Sequence, residues 1–190
     1  MATATIDLVL PCGPVRLRPI AESDAETLAF HANDARVSAH LRDRFPFPYG
    51  VEDARAFVAF LAADESQFHC GIEFDGAIVG GVGVGFRSDV ERLSGELGYW
   101  LGVRHWGRGI MPEVVRAVTE HVHREHGLVR IFAKVYEGND RSRRVLERAG
   151  YAYEGCMRAA VIKHGRVLDA HLYAHIDARI AMPEAGVPVQ

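Results

Sequence analysis

The spacing of apolar and polar positions divides the chain into short strands and helices. In VRLRPI (residues 15–20) apolar and polar side chains alternate, as they do in a half-buried strand. Ser23 or Asp24 then supplies an N-cap for a helix that is predicted to run to about Asn33. In VEDARAFVAFLAAD (51–64), apolar residues recur at helical spacing and predict a second helix. The chain is therefore predicted to begin with one strand and two helices.

The middle of the chain is predicted to form three consecutive strands. Residues 68–74 and 77–86 are separated by Asp75-Gly76, a dipeptide that favours a tight hairpin turn. The third strand is GELGYWLG, residues 95–102. The glycine-rich run GGVGVGF (80–86) resembles a dinucleotide fingerprint, but the pattern after it predicts no helix. We interpret its glycines as positions where other groups approach a strand closely.

The second half of the chain alternates between helices and strands. A helix with one apolar stripe is predicted to stop at His126-Gly127. The stripe is formed by Met111, Val114, Val115, Val118 and Val122. A continuous apolar strand (128–136) follows, and Asn139 then caps a helix that ends just before Gly150. Two last strands are predicted at about residues 151–161 and 166–177.

This order of elements predicts one α+β domain, α/β-like in part, built around a single mixed sheet. We expect the domain to occupy residues 1–190, with its core at about residues 13–178 and a C-terminal tail at 179–190. A chain of this length buries enough surface to fold without disulfides or metals.

Composition narrows the class of protein. The net charge of −3 gives no basic excess for neutralising phosphates and argues against a nucleic-acid binder. The three cysteines have no spacing typical of a disulfide framework or a zinc site. No apolar run approaches the ~18 residues of a membrane helix, and the N-terminus does not resemble a signal peptide. We therefore expect a cytoplasmic protein that binds neither nucleic acid nor membrane.

The junction between residues 95–102 and the helix after them is a candidate anion site. At the start of a helix several backbone N–H groups lack partners and point along the positive end of the helix dipole. Gly107 and Gly109 have no Cβ to block an anion there, and Arg104 and Arg108 add positive charge. The alternative is a tight turn in which the glycines serve only the backbone.

One βα unit further on, Asn139 caps the next helix and Ser142 lies three residues later on the same side. Such residues are often plain caps. They lie beside the anion site if strand 128–136 pairs with strand 95–102, and that adjacency favours a binding role.

Together these features resemble the GNAT superfamily of N-acetyltransferases, and most closely its Rim-type branch, the ribosomal-protein N-terminal acetyltransferases. The resemblance extends from VRLRP to HLYAHI, nearly the whole chain. The positions that match the family's motifs are Arg104, Gly107 and Gly109 in the pyrophosphate motif, Asn139 and Ser142 in the helix cap, RAGY (148–151) after that helix, and Asp169 and Tyr173 in the last strand.

The resemblance implies acetyl-CoA as co-substrate and no metal. It also implies a mostly antiparallel sheet of six to seven strands, flanked by about four helices and splayed near the acetyl-CoA site. In the family, the strand ahead of the pyrophosphate motif binds the pantetheine arm. The residues implied to contact acetyl-CoA are Trp100, Leu101, Gly102, Val103, Arg104, Gly107, Arg108, Gly109, Ile110, Asn139 and Ser142.

The resemblance implies acetyl transfer to a primary amine, either a protein N-terminal α-amine or the amine of a small molecule. An antibiotic, a polyamine or an amino acid would be acceptors of the second kind. A domain that binds acetyl-CoA as a sensor without turning it over is the alternative from another class. The segment 31–49 is expected to line the acceptor pocket, with FPFPY (45–49) as an aromatic wall or only a connector. A homodimer formed through the late strands is a further expectation.

The catalytic residues are less clear from the motifs. Many superfamily members have a tyrosine acid seven residues after the capping Asn, where this chain has Leu146, so Ser142 is the candidate acid. Glu96 shares a strand face with Gly98 and Trp100 and is the candidate general base, or else a surface carboxylate. A second polar face, Asp169, His171, Tyr173 and His175, either lines the acceptor site or meets solvent.

Overall fold

The computed structural model describes residues 5–179, which form one eight-stranded sheet in the order β1-β2-β3-β4-β5-β6-β8-β7. The strands are β1 Ile6–Leu10, β2 Gly13–Arg18, β3 Gln67–Phe74, β4 Ala77–Phe86, β5 Ser94–Leu101, β6 Arg130–Tyr136, β7 Ala152–Lys163 and β8 Arg166–Ile176. All neighbours are antiparallel except β5 and β6, which run parallel. The predicted tail lies almost wholly outside the described residues.

Five α-helices flank the sheet: α1 Ala25–Ala32, α2 Ala35–Ser38, α3 Val51–Ala63, α4 Ile110–His126 and α5 Asp140–Arg148. Helices α1 and α3 cover one face, and α4 and α5 cover the other. We call these the α1/α3 face and the α4/α5 face. Within residues 5–179 no helix combines the length and apolarity that crossing a bilayer requires.

Two elements were not anticipated. The four-residue helix α2 is too short to show a periodic pattern. Strand β1 lies before the predicted start of the core. The sequence pattern does not predict it, because Asp7 interrupts its apolar run. In the sheet Asp7 is an outward position that pairs with Arg16, Nε to Oδ1 2.7 Å, while Ile6 packs against the core. The alternation is that of an ordinary edge strand. With β1 included, the sheet has eight strands, one more than the upper end of the predicted six to seven.

The two faces of the sheet enclose separate apolar clusters. The larger cluster lies on the α4/α5 face, where the predicted stripe of α4 is buried from Met111 to Val122. The smaller cluster lies on the α1/α3 face and includes Leu28, Tyr49 and Ile78. These clusters hold the helices on both sides of the sheet, and α4 and α5 begin just after β5 and β6, the two central strands that part.

Strands β5 and β6 are paired only at their first three positions, Ser94 to Glu96 against Arg130 to Phe132. Beyond them β5 stays with β4 as far as Leu101, and β6 stays with β8 as far as Tyr136. The parallel strands therefore diverge and leave a gap in the middle of the sheet. This divergence is the splay that the family resemblance implied.

The glycines of β4 allow two rings to lie flat on the α1/α3 face. A Cβ at Gly81 would come within 3.0 Å of Trp100 Nε1, and one at Gly83 within 2.8 Å of His69 Cδ2. The run GGVGVGF therefore lies in a strand that other groups approach closely, and another strand, β5, follows it after a short 3₁₀ turn. His69 packs edge-on against Phe57, and burial lowers the pKa of its imidazole to about 4.

We predict that His69 makes the fold less stable in weak acid. Its pKa is about 4 in the folded protein against 6.5 for the free side chain, so the unfolded chain binds more protons between those values. Stability is therefore highest above pH 6.5 and falls as the pH is lowered towards 4. Because the ring keeps partial contact with solvent, we expect it to contribute a loss of about 1 to 2 kcal/mol between pH 7 and pH 5.

Urea unfolding at both pH values, for the wild type and His69→Gln, measures this contribution as a difference. The variant should lose less stability than the wild type on acidification. Equal losses in the two proteins would show that His69 does not carry the effect.

Candidate active site

The glycine pair at the start of α4 has the geometry of an anion cradle. Gly107 and Gly109 have φ values of 77° and 78°, a left-handed conformation that side chains other than glycine rarely adopt. A Cβ built at either position meets no atom within 4 Å, so the space beside them is open. Gly109 is the N-cap of α4 and provides no side-chain cap, which leaves the N–H groups of Ile110 and Met111 available to a ligand.

The start of α5 lies beside this cradle and is capped as predicted. Asn139 Oδ1 accepts a hydrogen bond from the backbone N–H of Ser142 at 3.2 Å. The Ser142 hydroxyl forms a second contact, 2.7 Å from the phenol oxygen of Tyr99 on β5. Tyr99 also donates to the Ser142 carbonyl oxygen at 3.2 Å. Burial raises the pKa of Tyr99 well above its usual range, so the phenol stays protonated.

A cavity of about 840 Å³ extends from the cradle through the gap between β5 and β6. On the α4/α5 face its lining includes Tyr99, Gly109 and Ser142. On the opposite face it is lined by α2 and the residues after it, from Arg36 to Leu41, and by Trp100. The cavity thus joins the two faces of the sheet, and groups that approach from opposite sides can meet inside it.

The backbone of β5 points polar groups into this gap, beyond the last position at which β5 pairs with β6. The N–H of Gly102 donates to the Val79 carbonyl on β4 at 2.8 Å. In an antiparallel pair the backbone N–H and C=O groups of every second residue face the same neighbour, so those of Gly98 and Trp100 also point towards β4. Those of Tyr99 and Leu101 point the other way, into the gap. The Leu101 carbonyl accepts from Trp106 Nε1 at 2.7 Å, whereas the pairing with β6 has ended before Tyr99, so β6 provides no ladder partner for the Tyr99 groups. Buried backbone groups need partners, and a ligand with amide groups would supply them.

A buried side-chain atom in the cavity wall also lacks a partner. Nδ1 of His105 makes no hydrogen bond among the described residues. Burial, followed by the charge of Arg108, lowers the pKa of His105, so the ring is neutral near pH 7. Two kinds of orphaned polar group therefore point to a polar ligand in this cavity.

Positive charge in the cavity comes from positions other than those predicted. The guanidinium of Arg104 lies 4.7 Å from the ring centroid of Phe30, and that of Arg108 lies 5.8 Å from that of Phe74. Neither side chain belongs to the cavity lining. The arginines in the lining are Arg36, Arg141, Arg144 and Arg148, three of them from α5.

Glu96 lies on the α1/α3 face and is not among the residues that line the cavity. Its carboxylate is held by Arg42 and Arg87, each with a nitrogen 2.6 Å from one of its two oxygens. His40 and Leu41, the two residues directly before Arg42, line the cavity. Burial, followed by the charge of Lys163, lowers the pKa of His40, so this imidazole also is neutral near pH 7.

The second polar face considered above lies on the opposite side of the sheet. Tyr173 is buried against α5, where its hydroxyl accepts from Arg143 Nε at 3.1 Å and donates to Glu147 at 3.3 Å. His175 Nδ1 lies 3.1 Å from His123 Nε2 on α4. Tyr173 and His175 therefore pack against the helices, whereas Asp169 and His171 contact strand β7, because the register with β6 turns this strand face towards the α4/α5 face.

Comparison with known proteins matches this architecture to one family. Residues 15–152, well over half of the chain, match the family model described as the acetyltransferase (GNAT) domain. The chain belongs to the GNAT acetyltransferase family. It is an acetyl-CoA-dependent N-acetyltransferase.

Individual relatives agree with that assignment. The chain is 27% identical over 169 residues to the uncharacterized N-acetyltransferase YoaA of Bacillus subtilis (strain 168), covering 86% of this chain and 93% of YoaA. It is 35% identical over 81 residues to a ribosomal-protein-serine acetyltransferase of Escherichia coli (strain K12), covering 43% of this chain and 45% of the relative. In fold it resembles Mycobacterium smegmatis RimJ in complex with CoA-disulfide, with a TM-score of 0.81 at 24% identity over 94% of this chain and 89% of RimJ.

The structure brings together seven of the eleven residues expected to contact acetyl-CoA. Those in the cavity lining are Trp100, Leu101, Gly107, Gly109, Ile110, Asn139 and Ser142. Gly102, Val103, Arg104 and Arg108 are absent from that lining. Leu146, at the position where many GNAT enzymes have tyrosine, is fully buried in the core. The segment expected to be an aromatic wall or only a connector contributes no residue to the cavity lining, and its Phe45 packs against Trp100 at 5.5 Å between ring centroids.

Tyr99 is the residue that the motifs missed. It occupies an apolar-looking strand position, and only the fold brings it to Ser142, 43 residues later. The sole sequence signal is its place in the strand directly before the glycine pair.

We predict that Gly109→Val abolishes the stabilisation by acetyl-CoA. At a ligand concentration a hundredfold above Kd, the wild type should gain roughly 2.7 kcal/mol, which a thermal melt detects as a higher Tm. A valine at this left-handed position strains the backbone and places its side chain where the pyrophosphate would lie.

Gly127→Val is the matched control, because Gly127 caps the other end of α4 with a φ of 65° and equally open surroundings. Both variants should melt lower than the wild type, but only the control should keep the full acetyl-CoA shift. A full shift in Gly109→Val would show that the anion binds elsewhere.

Proposed function

We propose that the acceptor is the N-terminal α-amine of a protein, which enters from the α1/α3 face and meets the thioester in the gap. The observation that supports this proposal is that the cavity is lined from both faces of the sheet, by the cradle on one side and by Leu41, next to the Arg42 that pairs with Glu96, on the other. The similarity to a ribosomal-protein-serine acetyltransferase supports a protein acceptor. An α-amine also suits the chemistry, because its reference pKa of ~7.7–8.0 leaves roughly a tenth of it neutral near pH 7.

We propose that acetyl-CoA is held by the cradle, the orphaned groups of β5 and the arginines of α5. The N–H groups at the start of α4 would bind the pyrophosphate, which the dipole of a seventeen-residue helix favours. The free backbone groups of Tyr99 would pair with the amides of the pantetheine arm. This arrangement would leave the thioester in the gap, within reach from the α1/α3 face.

We propose that Glu96 is the general base. The amine nitrogen attacks the thioester carbonyl carbon, its proton passes to Glu96 directly or through one water, and no covalent enzyme intermediate forms. The two arginines fix the carboxylate and each uses one lone-pair site, so both oxygens can still accept a substrate N–H. The neutral imidazole of His40, which lines the same end of the cavity, is the alternative base.

We propose that Ser142, the candidate acid, donates a hydrogen bond to the departing thiolate, which then takes its proton from solvent, and that Tyr99 positions the serine hydroxyl. When Tyr99 donates to the Ser142 carbonyl oxygen, the short contact between the two hydroxyls requires the serine hydroxyl to donate to the Tyr99 oxygen. When Tyr99 instead donates to Ser142 Oγ, the serine's own proton is free to form a hydrogen bond with the sulfur as the C–S bond breaks. Ser142→Ala and Tyr99→Phe would then be non-additive in kcat, because both changes remove the same donor.

We predict that the base contributes more to kcat than the acid. A thiol of pKa about 8.5, with cysteine standing in for CoA, leaves readily as a thiolate, so Ser142→Ala should cost about tenfold, near one ordinary hydrogen bond. Glu96→Gln should cost roughly a hundredfold or more. The amide keeps the shape of the carboxylate, so acetyl-CoA affinity should barely change.

The measurement is free-thiol release from acetyl-CoA across pH 6 to 9, with a short N-terminal peptide and a panel of small amines. A larger loss for Ser142→Ala than for Glu96→Gln would contradict the assignment, and His40→Gln would be the next variant to measure. Thiol release with small amines only would favour an antibiotic, polyamine or amino-acid acceptor. Acetyl-CoA binding without release for any amine would favour a sensor.

The proposal also covers the compartment and the assembly. The free thiols of Cys12 and Cys156 support a reducing cytoplasm, and burial raises the pKa of the Cys70 thiol to about 12. The exposed side chain of Ile162 on the edge strand β7 supports a homodimer through the late strands. Cell fractionation tests the first statement; light scattering that finds only monomer would refute the second.

A further inference from the structure

The sheet surface next to Glu96 is open and carries an unusual group of cations. On the α1/α3 face, Phe132 of β6 is the register partner of Glu96. Three cations surround its ring, with Arg87 at 5.2 Å and Arg130 and Lys134 each at 5.8 Å from the centroid. We call Phe132 and these three residues the basic cluster. Gly98 beside it is exposed, and a Cβ there would meet no atom within 4 Å.

The charges of this surface do not balance. Arg87 pairs with Glu96, and Arg130 pairs with Glu154. Lys134 has no ion pair among residues 5–179 and its side chain is exposed. With Arg42, four cations face two carboxylates, a local excess of two positive charges in a chain whose net charge is −3. Three like charges around one ring repel each other, and an anion from outside would relieve that repulsion.

We propose that the acceptor carries acidic residues directly behind its reacting amine, and that Lys134, with Arg87, recognises them. This inference rests on the proposed function, because it assumes that the amine reacts beside Glu96. Lys134 lies two positions beyond Phe132 on the same strand face, so about 7 Å further along the sheet. An extended peptide advances about 3.3 Å per residue, which brings its second and third side chains to the basic cluster. The cluster would therefore select an acidic N-terminal segment by charge complementarity.

The test compares three hexapeptides with the same N-terminal residue, in which positions two and three are Glu-Glu, Gln-Gln or Lys-Lys. The readout is kcat/KM for free-thiol release at saturating acetyl-CoA. The wild type should prefer Glu-Glu over Gln-Gln by roughly fivefold, and Lys-Lys should be the poorest. The preference should shrink at high salt, which screens exposed charges.

Charge reversal at Lys134 identifies the residue responsible. Lys134→Glu should make Lys-Lys the best of the three peptides, and Lys134→Met should remove most of the preference. Neither variant should change the KM for acetyl-CoA. Arg55→Glu on α3 is the matched control, because it makes the same change in net charge at an exposed position away from the basic cluster and should keep the wild-type order.

The outcomes separate this inference from the proposed function. Equal rates for the three peptides with the wild type, or an unchanged order in Lys134→Glu, would overturn the acidic preference while leaving the acetyl transfer intact. Absence of thiol release with every amine would refute the proposed function and the inference with it.

Discussion

The rest of the structure depends on the parting of β5 from β6. Parallel strands in the middle of a sheet normally stay paired, because unpaired backbone groups are costly in the interior. Here the pairing stops after Glu96, and the backbone groups of Tyr99, which lines the cavity, face the gap without β6 as a ladder partner. The fold tolerates this only because β4 and β8 hold the outer edges of the two strands. The gap therefore creates both a need for a polar ligand and a passage through the sheet.

The two faces of the sheet divide the work of the site. On the α4/α5 face, the start of α4 at Gly109 provides backbone N–H groups, and the start of α5, capped by Asn139, provides the hydroxyl of Ser142. On the α1/α3 face, the glycines of β4 let Trp100 lie flat, and Phe45 holds it there. Gly98 on that side is exposed, and the proposed amine would enter there. Donor and acceptor would then approach from opposite faces and need no conformational exchange between them.

Features encoded locally were predictable from the sequence. The glycine pair, the Asn139 cap and the apolar stripe of α4 each depend on residues within a few positions of one another, and all three are confirmed. Features that depend on distant partners were not predictable. The side chains of Arg104 and Arg108 reach phenylalanines from other elements, which the local charge pattern cannot reveal. Tyr99 likewise gains its hydroxyl partner only when β5 and α5 come together.

The central claim is that the orphaned backbone of β5 binds the arm of acetyl-CoA, and amide hydrogen exchange followed by NMR tests it most directly. The account predicts that saturating acetyl-CoA slows exchange at Tyr99 in the gap and at Ile110 at the start of α4. Exchange at Gly98, whose N–H points towards β4, should hardly change. Unchanged exchange at Tyr99 and Ile110, with new protection on β7 or α3 instead, would contradict the account.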